Sequence, residues 1–145
     1  MKALTFYMVD VFAEEKYAGN QLAVVRNAAA LSSVQMQRIA NEMHFSETTF
    51  ILSDGKRDGG YDVRIFTPAT ELPFAGHPTL GTAYVIRHCV ADETINKVTL
   101  NLKVGQIPVT FEKDGGNETL WMKQMPPAFG KTFDAARISR VLNLP

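Results

Sequence analysis

The chain has 145 residues, of which 46% are hydrophobic and 21% charged, enough for one globular domain and too little for two full-sized ones. Fifteen basic residues balance fifteen acidic ones, so net charge gives no reason to expect nucleic acid or an anionic membrane as partner. No apolar run approaches the roughly 20 residues of a membrane span, and MKALTFYMVDVF lacks the order of a signal peptide, so the expected location is cytoplasmic.

Leu4 to Phe12 is aromatic and β-branched and reads as a strand; Lys16 to Asn20 is a turn, and QLAVV a second strand paired with the first. Ser32 with Gln35 forms a capping-box pattern, and Leu31 can staple onto Met36. Met36, Ile39, Ala40 and Met43 then share one face, giving an amphipathic helix that covers the sheet and closes at His44 and Phe45. SETTFIL is a strand, SDGKRDGG a polar turn, and Tyr61 to Phe66 a further strand. TPATELPFAG is a structured loop leading into a helix whose first position suits Pro78. Leu80, Ala83, Tyr84, Val85 and Ile86 spread around this helix, which predicts burial on most sides, with Gly81, Thr82 and Ala83 allowing strands to approach closely. Cys89, the only cysteine, follows it and reads as core packing, with no disulfide or multi-cysteine metal site open to it. Three strand-like runs, from Asn96 to Gly105, Gln106 to Gly116 and Asn117 to Met125, form a meander, and Asp134 caps a last helix carrying Ile138, Val141 and Leu142. The fold class is α+β: about six strands, one amphipathic covering helix, and one nearly all-apolar helix that a mixed or antiparallel sheet rolls around.

Two segments could carry chemistry. In HFSETTF, Glu47 sits among hydroxyls and between Phe45 and Phe50. A carboxyl in partly apolar surroundings holds its proton more readily, which suits acid/base work, whereas an ordinary strand glutamate would face solvent. In GHPTLGT, Gly76 to Thr79 enters the buried helix, where free N–H groups and the helix dipole favour a carboxylate or phosphate. His77 reads either as a proton shuttle or donor to substrate, or as a residue capping the helix start. The glycine spacing is not that of a P-loop or a dinucleotide fingerprint. His44 and His88 lie at helix ends without metal-ligand spacing to His77, so no metal is expected. There is no nucleophile elbow, and Trp121 with the phenylalanines reads as core in preference to a base-stacking platform.

VDVF (Val9 to Phe12), AGNQLAVV (Ala18 to Val25), SETTF (Ser46 to Phe50), RIFTP (Arg64 to Pro68) and ELPFAGHPTLGTA (Glu71 to Ala83) resemble, in order and spacing, the N-terminal half of the PhzF family, the phenazine-biosynthesis-type isomerases. The resemblance implies a diaminopimelate-epimerase-like fold of two pseudo-symmetric halves, each a sheet rolled around a central helix, with the active site between them. It implies a cofactor-independent isomerase that moves a proton within a small carboxylic acid such as dihydro-3-hydroxyanthranilate. The family's acid/base glutamate falls on Glu47 and its active-site histidine on His77. Substrate binding falls on Gly76, Pro78 and Thr79, and on Asn20 and Ser46.

Family members resemble two such halves in tandem, the second supplying a further acid. The expectation is therefore a PhzF-like domain over residues 1–130, with residues 131–145 as a helix that opens a second half lying elsewhere. The chain is then either a fragment or a short homologue closing as a homodimer. A catalytically inactive homodimeric module binding a small acid, and another isomerase or epimerase chemistry on the same fold, are the competing readings.

Overall fold

A computed structural model describes residues 3–91 and 94–144; Pro145, part of the expected terminal segment, lies outside them. Strand β1 (Phe6–Val11) runs antiparallel to β2 (Asn20–Val25), with Phe6 opposite Val25 and Val11 opposite Asn20. Helix α1 (Ser33–Met43) then carries the chain to β3 (Glu47–Ile51), which lies parallel to β2 with Leu22 opposite Glu47. β4 (Tyr61–Phe66) returns antiparallel to β3 and also pairs with the two-residue β5 (Glu71–Leu72). Helix α2 (Gly76–Val85), prolonged by a π-helical turn at Ile86–Val90, leads to β6 (Lys97–Leu102), parallel to β4. β7 (Gly105–Asp114) and β8 (Asn117–Met122) complete an antiparallel meander. The described residues form one mixed eight-stranded sheet, curled as a half-barrel around α2, where the sequence suggested about six strands. The two-residue β5 inside the Pro- and Gly-rich loop is too short for any periodicity to reveal.

Both faces of the central strands are covered, because consecutive residues point to opposite layers. Val24, Ile51 and Ile65 join the cluster around α2, with Ala83, Val85, Ile86, Leu100 and Val109. Val25, Phe50 and Phe66 join Met36 and Ala40 of α1, with the Phe50 and Phe66 rings edge to face at 5.4 Å. Strands buried on both sides are short runs rich in apolar and β-branched residues, as QLAVV and TTFIL are, but the sequence showed these two only as strands and not their burial on both faces. The capping box of α1 forms as expected: Gln35 N–H donates to Ser32 Oγ (3.3 Å), and Ser32 N–H to Gln35 Oε1 (2.9 Å). Gly81 is the point of closest approach between α2 and the sheet, since a Cβ there would lie 2.7 Å from Leu22 Cδ2 and Val11 Cγ2.

Three expectations change. Pro78 is the third residue of α2, still within the first turn, where its missing N–H costs no intrahelical bond. Cys89 is exposed and not core. The reason is the π turn, closed by Ala91 N–H to Ile86 O at 2.8 Å: its extra residue turns His88 and Cys89 outward while Ile86, Arg87 and Val90 go inward. Buried Arg87 lays its guanidinium 4.4 Å over the Phe111 ring and pairs with Glu118 at 3.2 Å. Trp121 is 59% exposed, because on β8 it is Glu118, Leu120 and Met122 that turn inward.

β1 and β8 do not pair with each other, and between them a groove of about 1000 Å³ runs over Leu80, Gly81 and Tyr84 of α2. Helix α3 (Ala135–Leu142) is capped by Asp134, whose carboxylate accepts from Arg137 N–H at 3.0 Å, and it buries none of its residues.

Candidate functional site

The parallel pairing of β2 and β3 brings the start of both strands to one end of the sheet, the end at which α2 begins. Asn20 opens β2, Glu47 opens β3, Ser46 precedes it, and His77 lies in the first turn of α2. Gly19 sets the entry to β2: its φ is +83°, and a Cβ there would stand 2.5 Å from Val11 O, so only glycine lets the chain pass this close before Asn20.

His77 Nε2 and Glu47 Oε2 are 3.4 Å apart, with 10% and 16% of the respective side chains accessible. Glu47 is therefore not a solvent-facing strand residue. Both atoms are buried, and neither has an aligned hydrogen-bond partner. Buried polar atoms are nearly always satisfied, so two left facing each other without an aligned bond single this pair out as a candidate for chemistry. On the other side of the ring, Asn20 Nδ2 lies 3.4 Å from His77 Nδ1, and Ser46 Oγ–H donates to Asn20 Oδ1 at 3.4 Å. Four of the residues singled out in the sequence thus form one chain, Ser46, Asn20, His77 and Glu47.

The helix start behaves less uniformly. Ala75 is the N-cap and offers no side-chain cap, leaving the first turn with its positive end uncovered by any side chain. Pro78 is buried and has no N–H to give. Thr79 is also buried, and its hydroxyl donates to Ala75 O at 2.7 Å, so it is spent on the helix itself. Gly76 has room above it, with Met122 Cε the nearest side-chain atom, 3.8 Å from where a Cβ would stand.

Two supporting residues were not paired from the sequence, which pointed to Thr82 only as allowing a strand to come close. Thr49 Oγ1 and Thr82 Oγ1 lie 2.8 Å apart, both fully buried, and clamp β3 to α2 one turn below Glu47 and His77. A threonine two residues after Glu47 and another five after His77 are the only trace of this clamp in the sequence. Elsewhere, Arg64 grips Glu71 through two hydrogen bonds of 2.8 Å, and Lys103 Nζ stands 2.6 Å from the same carboxylate. Those partners, Arg64 foremost, hold the Glu71 carboxyl down at about 2. Among the described residues no group of three or more His, Cys, Asp or Glu is placed to hold a metal ion, and no helix is long and apolar enough to cross a membrane.

Comparison with known proteins puts the chain in a family. The model of the "Phenazine biosynthesis-like protein" family matches residues 9–144. A trans-2,3-dihydro-3-hydroxyanthranilate isomerase of Pseudomonas aeruginosa is 40% identical over 121 residues, covering 83% of this chain and 42% of that protein. A protein of the same description from Pseudomonas chlororaphis is 42% identical over 112 residues, which is 77% of this chain and 39% of the relative. The solved structure of a protein described as a predicted epimerase from Pseudomonas aeruginosa superposes with a TM-score of 0.83 at 33% identity, over 98% of this chain and 51% of that one. A hydroxyproline epimerase from Agrobacterium vitis, at 12% identity and a TM-score of 0.54 over 81% of this chain and 41% of its own, shares the fold. The chain spans less than half the length of these curated relatives. On the family match across nearly its whole length, and on relatives at 40% identity or more, the chain belongs to the PhzC/PhzF family of phenazine biosynthesis-like proteins.

Proposed function

We propose that this chain forms one half of a PhzF-type isomerase acting on a small unsaturated carboxylic acid such as trans-2,3-dihydro-3-hydroxyanthranilate. The observation that carries the reading is the buried Glu47–His77 pair, 3.4 Å apart with neither facing atom in an aligned hydrogen bond. In this reading the Glu47 carboxylate removes a proton from a carbon next to a π-system, and the electron pair left behind spreads into that system. The resulting carboxylic acid returns the proton to another carbon, so the substrate is isomerised with no net change of oxidation state. His77 stands beside the reacting carboxyl as hydrogen-bond donor. The uncapped first turn at Gly76 and His77 supplies N–H groups and a positive dipole end for the substrate carboxylate. Pro78 and Thr79 contribute by fixing that turn.

The test is steady-state turnover of trans-2,3-dihydro-3-hydroxyanthranilate by this chain joined to a second half of the kind its relatives carry, after gel filtration and without added cofactor. Product formation is expected. Binding of the acid without turnover would overturn the isomerase reading and leave a binding module in its place.

A further inference from the structure

We propose that Asn20, oriented by Ser46, fixes His77 in the neutral tautomer with its proton on Nε2, making the ring a hydrogen-bond donor beside Glu47 and preventing it from acting as a second base. A glutamate carboxylate can only accept, so the ring nitrogen 3.4 Å from Glu47 Oε2 carries the hydrogen when both groups are in their working forms. A neutral ring protonated on Nε2 leaves Nδ1 as an acceptor, and the atom 3.4 Å from it is the amide nitrogen of Asn20, which can only donate. That orientation of the amide turns Oδ1 towards Ser46, whose hydroxyl donates to it at 3.4 Å. From Ser46 to His77 every donor meets an acceptor, and at Glu47 the ring N–H faces a carboxylate oxygen at 3.4 Å without an aligned hydrogen bond.

The opposite polarity closes only at two costs: the Asn20 amide must turn over, so that Oδ1 accepts from Nδ1–H and Nδ2 donates to Ser46 Oγ, and Glu47 must be protonated to donate to Nε2. In the amide orientation present, Asn20 thus favours Nδ1 as the bare, accepting nitrogen. The consequence is a division of labour: the mobile proton stays with Glu47, while His77 polarises. Asn20 and Ser46 are on this view positioning residues and not substrate ligands. The consequence for catalysis rests on the proposed roles of Glu47 and His77, whereas the tautomer itself needs only an ionised Glu47.

Nitrogen-15 NMR of the 145-residue chain reads the tautomer directly, because there are only three histidines, and His44→Gln and His88→Gln identify the other two rings. The wild-type His77 ring is expected with hydrogen on Nε2 and a bare Nδ1. In Asn20→Asp the new carboxylate can only accept, so hydrogen should move onto Nδ1. Asn20→Leu, which keeps the volume without a polar atom and serves if the aspartate variant does not fold, should give a mixture of tautomers. A wild-type ring protonated on Nδ1 would overturn the proposal, as would an unchanged ring in both variants. Turnover assays are not needed for this readout, so failure of the isomerase reading and failure of the tautomer assignment are separately visible.

Discussion

Glu47 and Glu71 each open a β-strand and each leave 16% of the side chain accessible, yet their surroundings are opposite. Glu71 is saturated: Arg64 takes both oxygens in a fork, Lys103 adds a third contact, and the carboxyl is held far into the acid range. Glu47 faces one imidazole at 3.4 Å with no aligned bond. The comparison teaches that a buried carboxylate becomes structural when cations fill its lone pairs and becomes available for chemistry when they are withheld. The two sites are joined by a few residues of one motif, ELPFAGHP, so the Glu71 clamp also anchors the loop that delivers His77.

The largest effect that would sharpen this contrast is on activity. Glu47→Gln keeps shape and polarity but has no proton to take or give, so turnover of the two-half protein should fall by roughly 10²- to 10⁴-fold. Urea unfolding of the same variant should show little change, and a large loss of stability with retained turnover would reverse the assignment of the two glutamates.

Glu71→Gln should do the opposite. With the carboxylate gone, Arg64 keeps its charge with only 24% of its side chain accessible, and the chain should lose about 2 kcal/mol of stability at neutral pH. Because the folded Glu71 carboxyl is held down from 4.5 to about 2, chiefly by Arg64, its contribution is complete above pH 4.5 and is lost as the pH falls through about 2. Wild-type stability should therefore drop more steeply than that of Glu71→Gln across this window. Asp54 and Asp62, also held low by Arg26 and Arg57, are common to both proteins and cancel in the difference. Parallel pH profiles would show that the fork contributes nothing net.

The smallest effect belongs to Cys89→Ser, which should shift the unfolding midpoint by no more than about 0.5 kcal/mol, since the thiol is exposed beyond the π turn. A cost of several times that value would restore Cys89 to the core.

How much was legible depended on how local the cause is. The bounds of β4, the capping box of α1 and the Asp134 cap of α3 follow from hydrogen bonds and periodicities spanning a few residues, and all were readable. Glu47 and His77 could be singled out one at a time, from the phenylalanines around one and the helix start around the other. Their company could not be read from composition or spacing, because thirty positions separate them and only the family resemblance linked them.

Local pattern alone was enough for most of the longer elements, for the apolar faces that must be covered, and for the two short segments rich in reactive groups, but not for β5 or the π turn. The tertiary structure alone decided the rest. Parallel pairing of β2 and β3 sets Leu22 opposite Glu47 and so brings Asn20 to the same sheet end. The Thr49–Thr82 contact fixes how far α2 sits from β3, and hence the 3.4 Å between imidazole and carboxylate. One extra residue in the π turn exchanges Cys89 for Arg87 at the core. Each of these is a register between segments distant in sequence, set by which packing buries the most apolar surface while leaving the fewest polar groups unpaired, and no local pattern encodes it.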